Sequence, residues 1–171
     1  VRARAHASLA RALVRQNDLA GAATSLERAQ DVAAGALAAR PNDAATADLV
    51  LEIELEAAQV AAFGGDWPGS LAAATKVLER ADALVSEEPG DVRWNRRKAD
   101  AIVRMVVPLA RAGDLDGAWR RFREAEAIFT RESAADPTDQ RWAERSVVLS
   151  VRMADALMFA KQPAAALERL G

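Results

Sequence analysis

Apolar residues recur at spacings of three and four along most of the chain, and no segment alternates apolar and polar residues. The stripe Leu115, Ala118, Phe122, Ala125 and Phe129 falls on one face of a helix. This period predicts α-helices rather than strands, because strands require a period of two. We expect helices near 1–16, 19–39, 43–63, 67–86, 91–112, 115–134, 139–160 and 163–170.

Two kinds of turn separate these segments, and both return every 48 residues. One is a Pro-x-Asp turn that begins at Pro41, Pro89 and Pro137. The other begins with an aspartate and is found at 18–21, 66–69 and 114–117. Each period therefore holds two helices, and the repeats are 1–42 (partial), 43–90, 91–138 and 139–171 (partial).

An aspartate stands at the start of each predicted helix except the first and the last. Its carboxylate can accept hydrogen bonds from free amides of the first turn and suits the positive end of the helix dipole. We therefore expect helix caps at Asp18, Asp43, Asp66, Asp91, Asp114 and Asp139.

Composition adds to the helical prediction and narrows the function. Alanine, the best helix former, makes up about a quarter of the 171 residues. Twenty-three basic and 25 acidic residues give a net charge of −2, which provides no general attraction to nucleic acid or anionic membranes. No apolar run is long enough to span a membrane. The absence of cysteine suits a cytoplasmic protein, and the N-terminus resembles a cut within a longer chain.

Catalytic chemistry has no support in the sequence. His6 is the only histidine, cysteine is absent, and the glycines belong to turns between helices and not to a phosphate-binding loop. We expect no enzyme, cofactor or metal site.

The stretch Ala112–Ala125 resembles the middle of a tetratricopeptide repeat: a Gly-Asp turn, then Ala118, Phe122 and Ala125 at the family's spacings. Similarity at one fixed period covers the whole chain, as two complete and two partial repeats. The usual period is 34 residues, and the 14 extra residues equal seven per helix, which rotates a helix face by only about 20°. The resemblance implies an all-α solenoid of about eight antiparallel helices in a right-handed superhelix. Long-period arrays of this kind resemble scaffolds attached to bacterial signalling and regulatory proteins.

The resemblance also implies that the first helix of each repeat lines a concave groove. Groove positions would include Leu55, Gln59, Phe63, Asp100, Val103, Val107, Arg111, Val151, Asp155, Met158 and Phe159. A partly apolar groove of this composition suits an amphipathic helix or an extended peptide. The alternative is that longer helices curl more tightly and bury these residues in the core.

Arginines repeat with the same period. Arg93, Arg97, Arg104 and Arg111 share a helix face, and Arg141, Arg145 and Arg152 repeat the first three 48 residues later. Two such columns could bind carboxylates or phosphates. The alternative is local ion pairs with carboxylates such as Glu52 and Asp100, each worth about 0–1 kcal/mol where exposed.

The leading hypothesis is a scaffold domain that binds a protein or peptide, within a larger bacterial regulator. A sensor domain that binds a small anion on the arginines, and a spacer or self-assembly module, are the alternatives. Because the terminal repeats are incomplete, we also expect exposed apolar ends that a second copy could cover.

Overall fold

The computed structural model describes residues 2–161, and every regular element in that range is an α-helix. The helices are α1 (Arg2–Arg15), α2 (Leu19–Ala39), α3 (Ala44–Phe63), α4 (Trp67–Glu87), α5 (Val92–Arg111), α6 (Leu115–Ala135) and α7 (Arg141–Phe159). Seven predicted helices are thus confirmed to within two residues at each end. The eighth, over 163–170, lies outside the described residues.

Aspartates cap five of these helices as expected. The carboxylates of Asp18, Asp66 and Asp114 accept a hydrogen bond from the glycine N–H three residues on, at 2.7–2.9 Å. Asp43 and Asp91 cap α3 and α5 in the same role.

The sixth expected cap is wrong in detail, because the N-cap of α7 is Gln140, which makes no side-chain capping bond. The Asp139 carboxylate does accept the Arg141 N–H at 3.1 Å. It also binds the Arg141 guanidinium at 2.7 Å, and it lies two residues before the helix begins. The helix therefore starts two residues later than the Pro-x-Asp turn suggested.

Consecutive helices pack side by side, and the turns between them hold three to five residues. Short connections of this length make neighbouring helices antiparallel. In addition, α1 contacts α3, α3 contacts α5 and α5 contacts α7, whereas α2, α4 and α6 make no contacts with one another. The helices α1, α3, α5 and α7, called here the odd helices, therefore form one continuous layer, and each even helix packs against the odd helices that precede and follow it.

Small residues at fixed repeat positions allow this close packing. Ala22, Ser70 and Ala118 are equivalent in the repeat, and each is almost completely buried. Trp94 and Trp142, which are also equivalent in the repeat, are buried as well, and the Trp142 ring lies 6.0 Å from that of Phe129 in the preceding repeat. The core thus follows the repeat as the sequence predicted.

Pro108 lies inside α5, and the helix continues through it to Arg111. Within the range 2–161, none of the helices combines the length and apolarity that crossing a bilayer requires.

Candidate functional site: the groove on the odd helices

Ion pairs join adjacent odd helices at a constant sequence offset. Arg97 of α5 donates to the Asp48 carboxylate of α3 at 2.6 and 3.0 Å and to Glu52 at 3.3 Å. Arg145 of α7 donates to Asp100 of α5 at 2.9 and 3.2 Å. The Glu52–Arg97 and Asp100–Arg145 pairs are both 45 residues apart, one helical turn less than the repeat. The odd helices therefore run parallel in a fixed register.

Burial opposes the charge of Arg97, but its hydrogen bonds with Asp48 and the charges of Glu52 and Asp100 outweigh that penalty and raise its pKa. Its side chain is 11% exposed. This pair is therefore a structural contact between repeats and leaves no binding capacity for a ligand.

A second row of contacts lies along the same helices with the same offset of 45 residues. Arg11 donates to Glu56 at 3.4 Å, and one repeat later Arg104 donates to the side-chain oxygen of Gln59. The equivalent positions one repeat later are Val107 and Arg152, and valine offers no acceptor. The contact row therefore ends with an arginine that lacks the partner its predecessors have.

A cavity of ≈ 230 Å³ opens between α3, α5 and α7 at this place. It is lined by Ala58, Gln59, Ala62, Phe63, Trp67, Ser70, Val103, Arg104, Val107, Pro108, Arg152, Asp155 and Phe159. We call it the arginine cavity, after Arg104 and Arg152. A neighbouring depression between α1 and α3 shares Gln59, Phe63 and Arg104 with it. The two form one groove across all four odd helices, called here the odd-helix groove.

Among residues 2–161, the two arginines of the cavity have no carboxylate partner. Within that range Arg104 bonds only to Gln59, and its buried Nε has no hydrogen-bond partner there. Burial lowers the pKa of Arg104; the charges of Glu56 and Asp100 oppose this, while the nearby guanidinium of Arg152 adds to it. Arg152 makes no hydrogen bond or ion pair with any described residue. Arginine remains cationic in proteins, so two neighbouring positive charges face this cavity.

Aromatic rings surround the cavity at the ends of the odd helices. Phe63 and Phe159 are 53% and 47% exposed, far more than a core phenylalanine. Arg111 lies over the Phe159 ring at 3.5 Å and over the Trp67 ring at 4.4 Å. This cation–π stack fixes Trp67 of α4 and Phe159 of α7 beside the opening.

The structure brings together six of the eleven predicted groove residues, which line the arginine cavity: Gln59, Phe63, Val103, Val107, Asp155 and Phe159. The other five lie elsewhere. Leu55 is buried in the core, Asp100 is held by Arg145, and Arg111 stacks on the rings. Val151 and Met158 are exposed on α7 and do not line the cavity.

The predicted arginines divide into three groups, apart from Arg111, which stacks on the rings. Arg93 and Arg141 bind the aspartate just before their own helix, Asp91 and Asp139. Arg97 and Arg145 bind the preceding odd helix. Arg104 and Arg152 form the third group, which has no carboxylate partner among the described residues.

Sequence reasoning missed Trp67, Ser70 and Pro108 as lining residues. Trp67 and Ser70 belong to the first turn of α4, an even helix, whereas the family resemblance places only the first helix of each repeat on the groove. A tryptophan beside the capping Asp66, where two other repeats have leucine, was the available signal.

Residues 2–161 contain no cluster of three or more metal-ligating side chains. Comparison of the chain with protein-family models, with curated proteins and with solved structures finds no match.

Proposed function

We propose that the chain is a tetratricopeptide-like scaffold whose odd-helix groove binds a segment of a partner protein that is both apolar and acidic. The observation that carries the proposal is the combination of exposed aromatic rings and unpaired arginines in one groove. Exposed large apolar side chains grouped in a concavity are typical of interaction surfaces.

Charge indicates what kind of segment would fit. Arg11, Arg15, Arg104 and Arg152 line the groove, against the two carboxylates Glu56 and Asp155. Arg11 is already paired with Glu56. The remaining excess is positive although the chain as a whole carries −2, so an acidic partner is complementary to this surface.

The proposal includes the wider family expectation of a solenoid within a larger bacterial regulator. The parallel odd helices and the constant 45-residue offset support a regular superhelix, since each repeat meets the next in the same way.

A displayed library of random peptides, panned on the chain, tests the proposal. We expect enriched peptides to carry Asp or Glu beside aromatic or aliphatic residues, and to bind Phe63→Ala and Phe159→Ala variants at least tenfold more weakly. Val32→Ala is the matched control, because Val32 is 39% exposed on α2 and does not line the groove. Peptides without acidic residues, or equal binding to Phe63→Ala, would contradict the proposal.

Self-association is a second candidate, favoured by one face of α7. Val147, Val148, Val151 and Met158 are 46–65% exposed there. Their equivalents one repeat earlier include Val103 and Ala110, which are buried in the structure. A concentration-dependent rise in mass by light scattering that Val148→Asp abolishes would support this candidate, and a constant monomer mass would exclude it.

A further inference from the structure

We propose that the arginine cavity is a binding site for a small organic monoanion: a carboxylate on a compact apolar body about the size of one aromatic ring. This inference does not depend on the groove binding a protein segment, since it concerns a free ligand in the cavity alone.

Arg104 and Arg152 line the cavity without a carboxylate partner among the described residues. Buried polar groups nearly always have a hydrogen-bond partner, and the buried Nε of Arg104 has none. Two guanidinium groups lining one cavity also repel each other: burial is the main cause of the lowered pKa of Arg104, and the charge of Arg152 adds to it. A carboxylate between them would supply acceptors and remove the repulsion.

The repeat indicates where a ligand oxygen would bind. In the contact row Arg11–Glu56 and Gln59–Arg104, an acceptor side chain always faces the arginine. At the third place that acceptor is replaced by Val107, which lines the cavity. The donors of Arg152 therefore face a space where the repeat elsewhere provides an oxygen, and a ligand oxygen can take that position.

The walls and the size of the cavity indicate a small apolar body for the ligand. The walls of the cavity are formed by rings and aliphatic side chains, namely Phe63, Trp67, Val103, Val107, Pro108 and Phe159. A volume of ≈ 230 Å³ is smaller than a typical drug-sized pocket and admits a single ring with a short chain.

Asp155 limits the charge that the cavity accepts. It lines the same space one turn after Arg152 on α7, without forming an ion pair with it. Its carboxylate would repel a second negative charge on the ligand, so a monoanion fits better than a dianion.

Isothermal titration with 3-phenylpropanoate tests the inference. We expect a dissociation constant of about 0.1–1 mM, with 3-phenylpropanol and acetate binding at least about tenfold more weakly. The alcohol keeps the ring without the charge, and acetate keeps the charge without the ring. The indole N–H resonance of Trp67, assigned with Trp67→Phe, should shift on binding because the ring lines the cavity.

Variants separate the arginine site from general electrostatics. Arg152→Gln should weaken 3-phenylpropanoate binding about tenfold or more, and Arg104→Lys, which keeps the charge but loses the fork of donors, should weaken it less. Arg123→Gln removes the same charge from the exposed face of α6 and should leave binding unchanged.

Equal affinity for the alcohol and the acid, or an unchanged affinity in a folded Arg152→Gln variant, would overturn the inference. The peptide selection and this titration can fail independently. Peptides that need Phe63 but a cavity that ignores 3-phenylpropanoate would refute only the ligand site, and the reverse would refute only the peptide groove.

Discussion

Asp100 of α5 and Arg145 of α7 form a doubly hydrogen-bonded ion pair that repeats, 48 residues on, the contact between Glu52 and Arg97. Both pairs join parallel helices at an offset of 45 residues. The same offset relates Arg11 to Glu56 and Gln59 to Arg104. The register of the odd helices is thus specified by polar contacts as well as by the apolar core.

The ion pairs that Arg97 and Arg145 form with the preceding odd helix should differ in strength because they differ in burial. Arg97 and Asp48 are 11% and 17% exposed, whereas Arg145 and Asp100 are 27% and 23% exposed. Removing one partner of a buried pair leaves an uncompensated charge. We therefore expect Arg97→Ala to lower the free energy of unfolding by about 3 kcal/mol and Arg145→Ala by about 1 kcal/mol.

Urea unfolding followed by circular dichroism measures both values. Arg96→Ala is the control, since its guanidinium lies 3.9 Å from Asp48 and should contribute less than about 0.5 kcal/mol. Equal losses for Arg97→Ala and Arg145→Ala would show that burial does not distinguish the two contacts.

The sequence predicted the elements well because each boundary has its own local signal. The turns at Pro41, Pro89 and Pro137 and the capping aspartates act within a few residues of themselves, so their effect can be read without tertiary structure. The one inaccurate cap, at Asp139, belongs to a turn in which Asp136 accepts the Thr138 N–H at 3.0 Å.

The site was less predictable, because it depends on the offset between helices. The spacing of Arg97 and Arg104 places both on one face of α5, but it does not show which position on α3 each of them meets. The 45-residue offset gives Glu52 to Arg97 and only Gln59 to Arg104. A shift of one turn would bring Glu56 to Arg104 instead, and no local pattern in the sequence fixes it.

The Asp-x-x-Gly turns predict a coupling between the cap and its glycine. A Cβ on Gly117 would overlap the Asp114 carboxylate that caps α6. In the wild type, Gly117→Ala should therefore bring no gain, because it displaces the cap. In an Asp114→Ala background it should stabilise by about 0.5–1 kcal/mol, the ordinary advantage of alanine over glycine in a helix.

A double-mutant cycle in urea measures this coupling, which we expect to be about 1 kcal/mol. Gly35→Ala on α2 is the matched control, because a Cβ there meets nothing within 4 Å and should stabilise the wild type directly. Additive effects at 114 and 117 would mean that the cap does not require glycine.

Acid should destabilise the fold through the aspartates that begin the helices. A hydrogen bond from the Arg93 side chain lowers the pKa of Asp91, and Thr46 and Arg141 do the same for Asp43 and Asp139. A folded pKa below the unfolded value of about 3.9 gives stability that is present above that value and lost as pH falls through the folded pKa.

The melting temperature should accordingly be nearly constant from about pH 6 to 5 and fall steeply below about pH 4. Asp91→Asn should lower it at neutral pH and reduce its dependence on acid, since asparagine does not titrate. An Asp91→Asn variant with an unchanged acid dependence would show that this group does not contribute.

A carboxylate introduced at position 107 would complete the third place of the contact row and should fill the arginine cavity. In Val107→Glu, the new carboxylate would take the position that Gln59 holds toward Arg104 one repeat earlier, and would face Arg152. The gain from pairing two arginines offsets the lost burial of valine, so we expect a change in stability of about 1 kcal/mol or less. Val106→Glu, one residue away and fully buried in the apolar core, should instead cost about 4 kcal/mol or more, because it places a carboxylate among apolar side chains. Urea unfolding of the two variants distinguishes a carboxylate that finds its partners from one that does not. The same Val107→Glu chain should no longer bind 3-phenylpropanoate, since its own carboxylate occupies the site.

Stability also decides whether the new carboxylate reaches its partner. A Val107→Glu variant as unstable as Val106→Glu would show that Arg152 does not face this position.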